Sequence, residues 1–154
     1  MATVQTTYPN VHDQWLDGQI ADTSSCDVDS YSAAADINFG RAVHATGSDA
    51  VTMGIGTAET FRGIAIMDQR VPATAGEKYP KGEVVSVLWR GDVAVEADGA
   101  VTTGGIPTVN TTTGKVGIKA ASATQIALTR SRFIQGAAAG KIAILRVDGL
   151  EPAA

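Results

Sequence analysis

The sequence predicts an all-β fold, a small jelly-roll-like sandwich or β-barrel preceded by an extended N-terminal arm. Three observations predict it. From Ala35 onward, short β-type runs are separated by glycine and turn residues at intervals of roughly eight to twelve positions. No window outside these glycine-interrupted runs keeps a helical stripe. Residues 1–34 differ in texture, being rich in Thr, Ser, Asp, Gln and Asn with only scattered apolar side chains. The expected division is therefore an arm over 1–34 and a β-domain over 35–154.

In the arm, Tyr8, Val11, Trp15, Leu16 and Ile20 are the apolar anchors, with no sustained period of 2 or 3.6 between them. One helical turn is expected around Gln14 to Leu16. An arm with a Tyr and a Trp but no core of its own needs a surface to lie on, either its own domain or a neighbouring subunit. The domain opens with INFGRAVHA (37–45), which alternates. Ile37, Phe39, Arg41 and Val43 fall on one face, and Arg41 is expected at a strand end or a glycine-permitted bulge. Further strands are expected at AVTM (50–53), FRGIAIM (61–67) and EVVSVLW (83–89). The last is apolar on both faces and therefore central, with Trp89 buried. Arg90-Gly91-Asp92 reads as a turn into VAVEA (93–97), since Arg-Gly-Asp is good turn chemistry before it is an integrin ligand. Asp98-Gly99 and Thr111-Thr112-Thr113-Gly114 are two more turn signals, bracketing strands at Ile106–Asn110 and Lys115–Lys119. TQIALT (124–129), SRFI (131–134) and KIAILRV (141–147) complete the sheet.

Composition narrows the function. The chain has 154 residues, enough for one domain, and a formal net charge of -4. Its charges are unevenly placed. Residues 1–40 hold six acids (Asp13, Asp17, Asp22, Asp27, Asp29, Asp36) and no Lys or Arg, and the first basic residue is Arg41. Such asymmetry marks either a segment with its own role or a plain solvated one, while the overall balance argues against a nucleic-acid binder. One cysteine, Cys26, offers no intramolecular disulfide. No stretch approaches the ~18 apolar residues of a membrane span. The opening MATVQTTYPN lacks the features of a signal peptide, so a cytoplasmic site of synthesis is expected.

Chemistry is sparse. His12 and His44 have no evident Ser or Cys partner for nucleophilic catalysis. No HxH, CxxC or DxDxDG spacing marks a metal site, and Asp22, Asp27 and Asp29 read as a solvated loop. The stretch GAAAGK (136–141) imitates a phosphate-binding loop but is one residue short between its glycines and has Ile142 where Ser or Thr is needed. It reads instead as a close, side-chain-poor connection between SRFI and IAILRV. No catalytic, cofactor-binding or metal-ligating residue is assigned. The absence of convergent chemistry in a compact β-domain with a separate arm points toward assembly.

Five stretches in order, ADINFGRAV (35–43), FRGIAIMDQ (61–69), YPKGEVVSVLWRGDVAVEA (79–97), GGIPTVNTTTGKV (104–116) and RSRFIQGAAAGKIAILRV (130–147), resemble the capsid cement, or head decoration, proteins of tailed bacteriophages. The resemblance runs from Ala35 to Val147 and implies a structural role without enzymatic activity or cofactor. It implies a homodimer or homotrimer on the outer surface of the virion, bridging neighbouring major capsid protein subunits, with no direct contact to nucleic acid or membrane. The arm matches least, so its use as a clamp rests on composition alone. The alternative is a tail-associated or host-surface carbohydrate-binding module.

Overall fold

The computed structural model describes residues 15–56, 60–70 and 77–148. Among the described residues there is no α-helix, and the fold is all-β as the turn spacing predicts. In chain order the strands are β1 (Ile20–Ala33), β2 (Ile37–Asn38), β3 (Ala42–Ala45), β4 (Ala50–Met53), β5 (Phe61–Ala65), β6 (Lys78–Tyr79), β7 (Val84–Glu96), β8 (Thr108–Asn110), β9 (Val116–Gly117), β10 (Gln125–Ala127), β11 (Arg132–Gln135) and β12 (Ile142–Asp148). Seven of them form one sheet in the order β1-β4-β3-β5-β7-β12-β11. β10-β8-β9 form a second sheet, and β2-β6 a two-stranded ribbon.

β7 organises the large sheet. One of its edges pairs antiparallel with β1, from Val84 opposite Ser32 to Val93 opposite Ile20. The other edge is divided between two partners. Val87 and Leu88 lie opposite Ala65 and Ile64 of β5, and Arg90 to Glu96 lie opposite Asp148 to Ile142 of β12. β1 also pairs in parallel with β4 through Ser32 and Ala33. The pairing thus runs β1-β4-β3-β5-β7 and returns to β1, so the sheet curls on itself.

Side chains alternate across a strand, so a curled sheet with two apolar faces needs two cores. Neighbours divide accordingly. Ala42, Ile64 and Leu88 enter one apolar cluster, whereas Val43, Ala65 and Val87 enter the other. The three-stranded sheet covers the first cluster with Val109 and Val116, joined by Leu128. The β2-β6 ribbon covers the second with Ile37 and Tyr79. Tyr79 is fully buried, donates its hydroxyl to the Ile66 carbonyl at 2.6 Å, and meets the Phe39 ring edge-on at a centroid distance of 5.1 Å. Its polar end is therefore satisfied inside the core.

The expected strands at AVTM, FRGIAIM, SRFI and KIAILRV appear within a residue or two of their predicted bounds. INFGRAVHA, however, is divided. Gly40 at φ 70° turns the chain, so that β2 joins the ribbon and β3 the main sheet. Ile37, Phe39 and Val43 nevertheless reach the same cluster, and Arg41 sits between the turn and the first residue of β3. The expected helical turn is absent from its described residues, Trp15 and Leu16, while Gln14 lies outside them. The acidic run is also not a loop: Asp22, Asp27 and Asp29 lie on β1, within the span assigned to the arm.

Arg90-Gly91-Asp92 is not a turn, because β7 passes straight through it. Gly91 has φ 134°, and β1 shifts register against β7 between Asp22 and Val28. The irregularity exchanges the faces of β7. Val85 and Val87 reach one cluster before it, and Val93 and Val95 reach the other after it. Turn and bulge ask the same of a glycine, namely a backbone conformation that other residues resist. GAAAGK behaves as read: Gly140 at φ 71° closes a connection between β11 and β12, with the Lys141 N–H donating to the Ala138 carbonyl at 3.1 Å.

A side chain at Gly91 would meet the Ser25 carbonyl oxygen at 3.0 Å and the Cys26 Cβ at 3.1 Å, whereas one at Gly82 would meet nothing within 4 Å. Both glycines have positive φ. Gly82→Ala is expected to cost about 1 kcal/mol from backbone strain alone, and Gly91→Ala about 2 to 4 kcal/mol because β1 must also move. Urea unfolding of the two variants measures the difference. Equal losses would mean that the approach of β1 is not limiting.

Candidate binding site on the β1–β7 seam

The N-terminal segment joins the domain through a short, fully bonded stretch. The Gly18 N–H donates to the Ala94 carbonyl, the Ala94 N–H to the Gln19 carbonyl, and the Met67 N–H to the Gly18 carbonyl, each at 2.8 Å. The Leu16 N–H is held by the Gln19 side chain at 3.0 Å. Asp17 fixes the junction by accepting the Glu96 N–H at 3.0 Å, and its carboxylate occupies the space that a Cβ on Gly40 would take. Burial pushes the Asp17 carboxyl up to about 6, against the lowering effects of the Glu96 N–H and the Arg41 charge. Trp15 and Leu16, immediately outside this clamp, are 39% and 55% exposed.

Farther along the seam lies a cleft of about 440 Å³ over the stretch where β1 shifts register against β7. Its basic lining is Arg90, Arg130, Arg132 and Arg146, and its acids are Asp22, Asp92 and Asp148. Strand register assembles them: Arg90 stands between Asp27 and Asp148, and Asp92 between Asp22 and Arg146. Arg146 donates from Nε and Nη2 to both carboxylate oxygens of Asp92 at 2.8 Å each. The Asp92 side chain is only 8% exposed and that of Arg146 58%, so the acid lies beneath and the guanidinium above. The Asp92 carboxylate raises the Arg146 pKa. Arg132 donates from Nη1 to the carbonyls of Thr129 and Ser131 at 2.6 Å each, and Arg130 lies 3.7 Å from Asp148. Asp22 is turned toward its own chain, accepting the Ser24 N–H at 2.8 Å, which holds its carboxyl below the usual range.

A second cavity, of about 260 Å³, is lined by Asp29, Tyr31, Arg62 and Trp89. Trp89 is half-buried here and not in the core as expected. The face exchange explains it: Val85 and Val87 point into their cluster, but at Trp89 the strand has reached the irregular β1 pairing and the end of that core.

Of the five anchors read from the sequence, Tyr8 and Val11 lie outside the described residues. Trp15 and Leu16 stand together and exposed at the junction. Ile20 is separate from them, paired with Val93 and packed on the first core cluster. The arginine cleft went unseen in the sequence. Its only local trace is the pair Arg130 and Arg132 flanking Ser131, and the other two arginines come from β7 and β12. His44 is on β3, and its buried Nδ1 has no hydrogen-bond partner among the described residues.

A family profile described as structural cement protein (E217 gp24/Pam3 gp6) matches residues 4–148. The chain belongs to this family. As a cement protein it is a structural, capsid-associated phage protein, as the resemblance implied. Its fold is similar to a chain in the capsid of Myoviridae phage XM1, with a TM-score of 0.72 and 16% identity over 97% of this chain and 99% of that one. It is also similar to the N base of head fiber gp8.5 of bacteriophage phi29, with a TM-score of 0.51 and 12% identity over 84% of this chain and 100% of that one. Among curated proteins no sequence matches.

The raised Asp17 pKa has a definite sign in stability. Folding favours the protonated carboxyl, so this contribution is complete below the ordinary value of 3.8 and is lost as pH rises through about 6. The cement protein is expected to lose up to about 3 kcal/mol from this group between pH 4 and pH 7. Thermal unfolding of Asp17→Asn should lack that decline. A parallel fall in the variant would assign it to other groups.

Proposed function

We propose that the protein binds the exterior of the assembled shell as a homodimer or homotrimer and bridges neighbouring major capsid protein subunits, with the N-terminal segment as the clamp. The observation that carries this reading is the junction at Asp17 to Gln19. It anchors the segment to β7 through backbone bonds while leaving Trp15 and Leu16 exposed at the point of exit. A rigid exit reduces the freedom that a clamp loses on binding, and an aromatic beside an aliphatic makes an effective anchor. Tyr8 and Val11 extend the same apolar series. Ile20 acts differently, as a foot of the clamp on its own domain. A ligand that binds only the assembled shell stabilises it by mass action, and many copies of a modest site add up.

Trp15→Ala combined with Leu16→Ala is expected to weaken binding to purified empty shells by about tenfold or more, because both side chains are spent on the partner. The melting temperature should stay within about 2 °C, since neither residue lies in the core. Co-sedimentation measures the first and calorimetry the second. Unchanged shell occupancy would refute the clamp.

The Trp89 cavity favours a second reading, carbohydrate binding. Trp89 and Tyr31 offer apolar ring faces, and Asp29 and Arg62 offer acceptors and donors at the rim. Titration of host cell-surface oligosaccharides against the isolated protein, followed by Trp fluorescence, should give saturable quenching that Trp89→Phe reduces. A flat titration would dismiss this reading without touching the first.

A further inference from the structure

We infer that the arginine cleft is a socket for a carboxylate-rich segment of the shell protein, which rests on the shell-binding reading and names the chemistry of its partner. The first ground is concentration. The chain has a net charge of -4 and seven arginines, and four of the seven line this one cleft. Four guanidiniums in one cleft repel one another, and the three aspartates of the lining offset that repulsion only in part.

The second ground is pre-organisation. Arg146 is clamped by two bonds to Asp92, which is buried below it, so its remaining N–H groups project from a fixed plane. Arg132 is steadied by two backbone carbonyls bound to a single nitrogen, which leaves the rest of its fork unspent. Arg90 and Arg132 enter no ion pair among the described residues. A planar fork held in advance loses little freedom when it receives a carboxylate, and the paired geometry is bidentate.

The acids in the lining define what fits. Asp92 neutralises Arg146 from beneath without standing at the mouth, while Asp22 and Asp148 lie within the lining itself. Closely spaced phosphates of a nucleic acid would meet these two carboxylates as well as the guanidiniums. A peptide carrying single carboxylates can set each one against an arginine and leave the aspartates facing its N–H groups. At about 440 Å³ the cleft holds a few residues of such a segment, more than a single ion would use.

Arg90→Gln combined with Arg132→Gln tests the socket, with Lys81→Gln combined with Lys141→Gln as a control of equal charge change on exposed residues outside the cleft. On purified shells the cleft variant should bind at least about tenfold more weakly, with a flatter dependence on salt, and the control within about twofold of wild type. Separately, hexa-aspartate titrated into the wild-type protein should shift the Nε–H NMR signals of Arg132 and Arg146, and the cleft variant should show no shift at Arg146. Equal shell binding by wild type and cleft variant would overturn the socket while leaving shell binding intact. If wild type itself failed to bind shells, the shell reading would fall and the peptide titration would decide the socket alone. Signals moved by duplex DNA but not by hexa-aspartate would overturn it in favour of a nucleic acid.

Discussion

The structure depends on β7 being hydrogen-bonded along both edges by strands from distant parts of the sequence. β1 takes one edge, and β5 and β12 share the other. β5 ends its pairing at Leu88 and β12 begins at Arg90, while on the opposite edge β1 shifts register beside Gly91, whose φ is 134°. With this irregularity go the exchange of β7 faces between the two cores and the half-buried position of Trp89. Because β7 continues through this stretch, Arg90 and Asp92 lie among charged neighbours on β1 and β12 instead of at the tip of a turn. Architecture and surface chemistry therefore have one origin.

The cleft costs the fold something. Burying Asp92 removes a carboxylate from water, and its bidentate pair with Arg146 offsets that desolvation rather than adding stability outright. A hydrophobic pair at these positions would pack a β-sheet at least as well. That a charged pair stands there is consistent with a surface selected for recognition. The Asp17 junction has the same character, because an acid whose burial favours its neutral form is a poor choice for stability at neutral pH. It is a good choice for holding a chain end at a fixed angle through a backbone N–H.

Legibility in the sequence followed the range of the interactions. The β11–β12 connection at GAAAGK and the Asn110 to Gly114 turn were readable because local chemistry determines them. In the latter, the Asn110 side chain accepts the N–H groups of Thr112 and Thr113 at 2.9 Å each. β1 was read as extended but not as part of the sheet. Its strand character comes from backbone bonds to β7, and its register shifts erase the period of 2 that would announce it. Gly91 misled because a bulge and a turn use the same residue type. The arginine cleft was invisible for a different reason: its members lie on three separate strands or their approaches, and only register brings them together.

The outer edge of β1 carries one more consequence. Among the described residues β4 pairs with the last two residues of this fourteen-residue strand, Ser32 and Ala33, and no other strand pairs with that edge. An open strand edge is a template for strand addition between copies of a chain. The interrupted register and the acidic side chains of Asp22, Asp27 and Asp29 make it a poor template. The polarity that disguises β1 as a loop thus also disfavours edge-to-edge pairing between copies of the protein.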